Sequence, residues 1–365
     1  MRRRALLAAP LAMPAMLAAC EREAAATSLE APTAAGLGRP GEPPPALREL
    51  APFSIGTEVL TTDLDEPALA GLAARQFSQI TAGFEMKMEV VLRPDGSRNW
   101  APGDRIAAWA AANRQRLHGH CLVWYSQDAP AFRALRGDPR AFTAAYDRYI
   151  VDVVRRWPAA GWDVVNEPLE DSGELRPSLW AQVLGAEGYM VRAFQRARAA
   201  DPRAVLILNE YGLESRPDKR RAFLKLVDRL QKLGAPITGL GTQCHIDVDL
   251  PAGTGAAMIA DLARTGLPIH VSELDCSLKP GAGGGRPSGR ALEIQAARFA
   301  ELLDAFAALP GRQRHAFTVW GLRDDGSWLN SASEYAGRDA PLLFDRAGAP
   351  KPAFLTLARR LRAQA

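Results

Sequence analysis

The chain is poor in cysteine: four in 365 residues, at Cys20, Cys121, Cys244 and Cys276. That excludes a disulfide-stapled scaffold, and no short metal-ligand spacing links any of them. A Cys244–Cys276 disulfide is compatible with an exported protein, but the spacing does not establish it. His120 beside Cys121 and His245 beside Cys244 do not read as zinc pairs, since neighbours on a strand point to opposite faces. No glycine-rich phosphate loop follows an early strand, which argues against a nucleotide fold. Net charge is only +4, and Arg2, Arg3 and Arg4 supply three of those charges. Removal of the first segment leaves about +1, so the basic pI carries no case for nucleic acid. No apolar run reaches the roughly 20 residues of a membrane span. No metal, nucleotide or organic cofactor is expected.

What is present begins with an export signal. MRRRALLAAPLAMPAMLAAC has a basic start, a short apolar stretch broken by Pro10 and Pro14, and small residues before Cys20. LAAC resembles the lipobox of bacterial lipoproteins, which implies cleavage after residue 19 and lipidation of Cys20. A plain secretory signal with an incidental cysteine is the alternative, and the paired arginines permit twin-arginine export. Residues 20–48 hold the lipidated cysteine and an Ala/Pro/Gly/Glu-rich spacer with no apolar periodicity. The expected localisation is outside the cytoplasm, membrane-anchored and facing the periplasm or cell exterior, as a monomer. Residues 49–365 are long enough for a single large domain.

From Phe53 onward, short apolar runs alternate with amphipathic segments. Candidate strands are FSIGTEV (53–59), SQITAGFEM (78–86), LHGHCLVW (117–124), GWDVVNE (161–167), AVLILNEY (204–211), ITGLGTQCH (237–245), PIHVSEL (268–274) and HAFTVWG (315–321). Between them lie helical patterns such as DPRAFTAAYDRYIVDVVRRW and PDKRRAFLKLVDRLQKLG, with apolar residues near i, i+3, i+4 and i+7. Asp138, Asp201 and Asp218 stand at helix ends or caps, and Gly234 reads as a helix terminator. Eightfold strand–helix alternation predicts an α/β fold, a (β/α)8 TIM barrel. A doubly wound open sheet is the alternative.

Polar residues gather where these strands end. His120, Asn166-Glu167, Glu210, Gln243, His245 and Glu273 all fall at C-terminal strand ends, the face on which barrel active sites form. A lone strand-end Asn-Glu is as often a turn, but a rim of such ends makes a site. Glu167 and Glu273 end the fourth and seventh strands, which face each other across a closed barrel. Two facing carboxylates in different protonation states suit glycoside hydrolysis.

WDVVNEP, HGHCLVWYSQ, GLGTQCHID, PIHVSELD and VWGLRDDGSW, in that order, resemble the motif series of glycoside hydrolase family 10, the barrel xylanases. The likeness runs from about Phe53 to Ala358. It implies an anomer-retaining double displacement, with Glu167 as acid/base and Glu273 as nucleophile. It further implies that Asn166 holds the sugar 2-hydroxyl and that His245, with Gln243, orients the nucleophile. Asp163 and Asp275 match acids behind the catalytic pair. Lys87, His120, Trp124 and Gln127 match glycone-side sugar contacts, Trp320 and Trp328 match aromatic cleft walls, and Tyr211 lies on the same rim. The implied partner is a polysaccharide, xylan or a related β-glycan, cleaved by endo action. The implied protein is a lipid-anchored enzyme of carbohydrate degradation.

The likeness fails in places. AGFEMK puts Gly83 and Phe84 where family members carry a Glu-Asn pair that grips a distal glycone sugar. Tyr125 replaces the usual His, while Glu210 and Gly212 replace an Asp and an Asn. Losing two polar contacts costs a few kcal/mol of binding at that subsite. A hydrolase of another β-glycan, or of the bacterium's own exopolysaccharide, therefore stands as an alternative, and a non-catalytic polysaccharide-binding lipoprotein as a second. The segment SLKPGAGGGRPSG (277–289) follows the nucleophile strand and reads as a surface loop, with room for a flap.

Overall fold

The computed structural model describes residues 45–280, 287–332, 335 and 337–364. The signal segment, Cys20, the spacer up to residue 44 and the middle of the 277–289 segment lie outside the described residues. Folded structure starts earlier than the sequence boundary. Leu47–Leu50 is a helical turn with Leu47 buried, and Arg48 donates to the Ala74 carbonyl at 2.7 Å.

Eight parallel strands close on themselves: β1 (Ile55–Val59), β2 (Gln79–Ala82), β3 (Arg116–Gly119), β4 (Gly161–Asn166), β5 (Val205–Glu210), β6 (Gly239–Thr242), β7 (Ile269–Ser277) and β8 (Arg314–Val319). Each pairs with the next, and β8 returns to β1 through Ile55 opposite Phe317. The principal helices alternate with them: α1 (Pro67–Gln76), α2 (Ala101–Ala112), α3 (Pro139–Arg156), α4 (Gly188–Ala200), α5 (Pro217–Lys232), α6 (Thr254–Ala263), α7 (Gly289–Ala307) and α8 (Pro352–Gln364). This is the (β/α)8 barrel, not the open sheet.

The helices form where local chemistry starts and stops them. Asp138 caps α3 by accepting from the Arg140 and Ala141 amides, with Pro139 preset for the first turn. Its inward stripe of Phe142, Tyr146, Tyr149, Ile150, Val153 and Val154 is buried. Asp201 turns the chain after α4 by accepting from the Arg203 and Ala204 amides. Asp218 lies in the first turn of α5, and Gly234, just past that helix, takes φ +88° at little steric cost.

Two candidate strands break rather than run through. β3 stops at Gly119, and pairing resumes only at Val123 and Trp124, opposite Val165 and Asn166. β6 stops at Thr242, Cys244 takes φ +59°, and His245–Asp247 pairs with Asp275–Ser277. The second candidate strand is cut to four residues, because the chain turns at Gly83 and Glu85 binds back to the Thr61 amide. Cys121, Cys244 and Cys276 are buried free thiols, so the Cys244–Cys276 disulfide left open by the sequence is not formed.

The barrel interior is polar. Gln79, Thr81, His118, Asp163, His270, His315 and Thr318 are all buried. The three imidazoles pack edge to face with centroids 4.4, 5.2 and 5.6 Å apart. Burial and the neighbouring rings hold His270 and His315 well below the ordinary histidine value. A separate apolar shell, including Ile80, Trp162, Leu206, Leu208, Leu240, Val271 and Phe317, belongs to the hydrophobic core.

Candidate active site

Strands β4 and β7 each gain a residue just before their polar ends. On β4, Asp163 sits opposite Ile207, but Val165 is opposite Leu208. On β7, Val271 sits opposite Phe317, but Leu274 is opposite Val319. A one-residue bulge reverses the alternation of side chains beyond it. That re-aims Asn166 and Glu273 into the barrel mouth, where plain alternation from Asp163 and Val271 places neither with its partners. Glu167 follows in the left-handed region, at φ 54°. This conformation is unusual for a residue with a long side chain and marks a constrained turn.

The two glutamates meet different company. Glu273 is 5% exposed. Its Oε1 accepts from Asn209 Nδ2 at 2.8 Å, and its Oε2 lies 3.4 Å from His245 Nε2. Burial by itself raises its pKa, but the charges of His120 and His245 and the His245 hydrogen bond more than offset this, so the carboxyl is held below its ordinary value. Glu167 is half-buried and accepts on Oε1 from two neutral amides, Gln243 Nε2 at 2.9 Å and Asn166 Nδ2 at 3.2 Å. No cation pairs with its carboxyl among the described residues.

Asn209 couples the two sides. Its Nδ2 also donates to Asn166 Oδ1 at 2.8 Å, and its own Oδ1 accepts from Ser272 at 2.8 Å. Gly241 is glycine for a local reason, since a Cβ there would overlap Asn209 Oδ1. The sequence reading passed over Asn209 for Glu210. Yet Glu210 is turned out of the cleft: it pairs with buried Lys219 at 2.9 Å and accepts from the Leu169 amide at 3.0 Å. Period 2 on β5 puts these neighbours on opposite faces, and that was the signal available. Burial raises Glu210 to about 7 despite the Lys219 charge.

Gln243 touches both glutamates: its side-chain amide donates to Glu167 Oε1 at 2.9 Å, and its backbone carbonyl accepts from the Glu273 amide at 3.1 Å. His245 stands between Glu273 and Asp275. His245 Nδ1 lies 2.8 Å from Asp275 Oδ2, which also accepts from Trp328 Nε1 at 2.8 Å. Burial lowers the imidazole's pKa, but the Asp275 and Glu273 carboxylates push it up to about 10. Both carboxylates thus favour the charged imidazole.

Behind Glu273, His120 Nδ1 lies 2.8 Å from Asp163 Oδ2, and Asp163 Oδ1 lies 3.1 Å from His118 Nε2. Burial opposes ionisation of Asp163, yet the two imidazoles hold its carboxyl far below the usual range.

The side chains expected to contact sugar pack around the same strand ends. Trp320 packs edge to face on His120 at 5.2 Å, and Trp328, 40% exposed, does so on His245 at 5.1 Å. Lys87 Nζ sits 4.9 Å from the Trp124 ring centroid, and Gln127 is buried near the start of the Glu89 turn. Tyr211 stands on the rim, with its hydroxyl shared between Asp171 and Arg176. Arg176 was not singled out from sequence. Its guanidinium lies 4.1 Å from the Tyr125 centroid and donates to the Glu167 and Leu169 carbonyls, which fixes the turn carrying the acid.

Residues 47–360 match the profile of Glycosyl hydrolase family 10. The chain is 34% identical over 321 residues to "Exoglucanase XynX" of Acetivibrio thermocellus, covering 84% of this chain but 28% of that protein. It is 32% identical over 328 residues to "Endo-1,4-beta-xylanase" of Geobacillus stearothermophilus, covering 85% of this chain and 97% of the relative. The chain thus spans under a third of the first relative and nearly all of the other. A mutant xylanase10C from Cellvibrio japonicus, solved with xylopentaose, superposes with a TM-score of 0.81 at 29% identity, over 87% of this chain and 69% of that one. With this barrel and these facing glutamates, the profile match places the chain in glycosyl hydrolase family 10.

Proposed function

We propose that the protein is a retaining, endo-acting β-glycanase that cleaves β-1,4-xylosidic bonds in xylan-like polysaccharide. The observation that carries the roles is the asymmetry of the two carboxyls. Burial opposes ionisation of Glu273, but the charges of His120 and His245 and the His245 hydrogen bond outweigh it, as a nucleophile needs. Glu167 accepts only from neutral amides and is open to the cleft, as suits a proton donor.

In the first step Glu273 attacks the anomeric carbon and the glycosidic C–O bond breaks as Glu167 gives its proton to the leaving oxygen. In the second, Glu167 takes a proton from water, the hydroxide attacks the same carbon, and the ester to Glu273 is released. Asn166, fixed by Asn209, offers its amide to the 2-hydroxyl, where a hydrogen bond strengthens as positive charge develops on the sugar. Trp320 and Trp328 offer apolar faces to the C–H side of the sugar rings.

The test compares the full chain with Glu273→Ala on xylan, arabinoxylan, mixed-linkage glucan and exopolysaccharide of the source bacterium, reading reducing ends and product sizes. Xylan cleavage lost in the variant, with the β-anomer formed first by proton NMR, is the expected result. Cleavage of another polymer alone moves the substrate, and Gly83 with Phe84 is the observation that favours this second reading. Binding without cleavage replaces the enzyme with a polysaccharide-binding protein. The basic, apolar and small-residue series ending at Cys20 supports export and a lipid anchor, with the barrel facing the periplasm or cell exterior.

A further inference from the structure

The loss of a side chain at position 83 leaves no empty space. Glu58 stands on the face of β1 that carries Gly56, whose own Cβ position meets Thr318 and Gln79 inside the barrel. Its side chain reaches toward the end of β2. A Cβ built on Gly83 would overlap Glu58 Oε1 and fall 2.6 Å from Cδ and 2.7 Å from Cγ. On the other side, Glu58 Oε2 lies 3.8 Å from the Cβ position of Gly321, the residue after the Trp320 wall. The carboxyl therefore bridges the ends of β2 and β8, in the volume a side chain at position 83 would otherwise claim.

This carboxyl is unused by the fold. Its acidic neighbours are spoken for: Asp63 accepts from the Leu60 amide, and Glu85 from the Thr61 and Phe84 amides. Glu58 has no hydrogen-bond or ion-pair partner among the described residues, although it is only part-exposed. The part-exposed carboxyl is open to a partner from the cleft. Burial raises its pKa to about 8, with Asp63, Glu85 and Glu273 adding to the rise and Lys87 opposing it. This favours the neutral acid, which can both donate and accept.

We infer that Glu58 is a substrate-binding residue, which hydrogen-bonds a hydroxyl of the glycone sugar beyond the one being cleaved, from β1 instead of β2. The surrounding acids outnumber Lys87 three to one, so the sugar taken there is neutral and not a uronate. This rests on the β-glycanase reading above.

The test uses the full chain with aryl β-xyloside and aryl β-xylobioside, comparing kcat/KM for one and two glycone sugars. Glu58→Ala is expected to lose about 10- to 100-fold on the xylobioside, chiefly in KM, and less than threefold on the xyloside, with the melting temperature as the folding control. Gly83→Ala should reproduce that loss, because its methyl group displaces the carboxyl. Glu58→Gln keeps a neutral donor and should retain most of the preference. It should also lack the rise in KM expected of the wild type as pH passes about 8. A wild type that cleaves both substrates, with an unchanged ratio in Glu58→Ala and Gly83→Ala, overturns the inference alone. So does an equal loss on both substrates. A wild type inactive on both and on xylan removes the substrate reading, and the inference with it.

Discussion

Asn209→Ala is the most exposed prediction of the site. The side chain makes two hydrogen bonds from one nitrogen, each 2.8 Å, to Glu273 Oε1 and to Asn166 Oδ1. A hydrogen bond to a charged group is worth about 1.5–3 kcal/mol. If that energy favours only the ionised form, its loss raises the Glu273 pKa. The acid limb of kcat/KM should move up with it. Asn166 would keep only Gln243 at 3.4 Å and Glu167 at 3.2 Å. Its aim at the sugar 2-hydroxyl should slacken, and a loss of about 1.4–3 kcal/mol of transition-state binding slows kcat by roughly 10- to 150-fold. The assay is initial-rate hydrolysis of an aryl xylobioside from pH 4 to 9, with circular dichroism melting as a control. A folded variant with its acid limb in place and kcat/KM within threefold of wild type would refute the coupling of the two glutamates through Asn209.

Two other outcomes follow from the same chemistry. The folded pKa of His245, about 10, lies above its ordinary value. Its contribution to stability is therefore complete below about pH 6.5 and lost as pH rises through 10. In thermal melts across pH 6–10, wild type should lose stability, and Asp275→Asn should start lower and change less; parallel curves would dismiss the ion pair as a stabiliser. Cys20→Ala in the full chain should abolish incorporation of labelled fatty acid and shift the protein from the membrane to the soluble fraction. Unchanged fractionation would favour the plain secretory signal.

The barrel was readable because strand and helix periods differ, and eight alternations leave few folds that bury both. Glu167 and Glu273 were readable for a related reason: carboxylates ending apolar strands have no packing purpose. Glu210 shows where that logic stops, since it ends a strand with the same signature yet pins a loop through Lys219. Only alternation with Asn209 told the two apart, and the sequence gives no register from which to start counting.

The amino-acid sequence by itself determined the barrel, the pair of glutamates, the family likeness and the gap at position 83. The closed sheet decided what no local pattern carries. Bulges on β4 and β7 turn Asn166 and Glu273 inward, an effect that depends on the neighbouring strand's register. The charged form of His245 is favoured because Asp275 and Glu273, 30 and 28 residues away, are folded against it. Glu58, 25 positions before the gap, fills it because β1 and β2 are neighbours in space. Electrostatics and packing act through distance in the fold, and separation along the chain does not encode it.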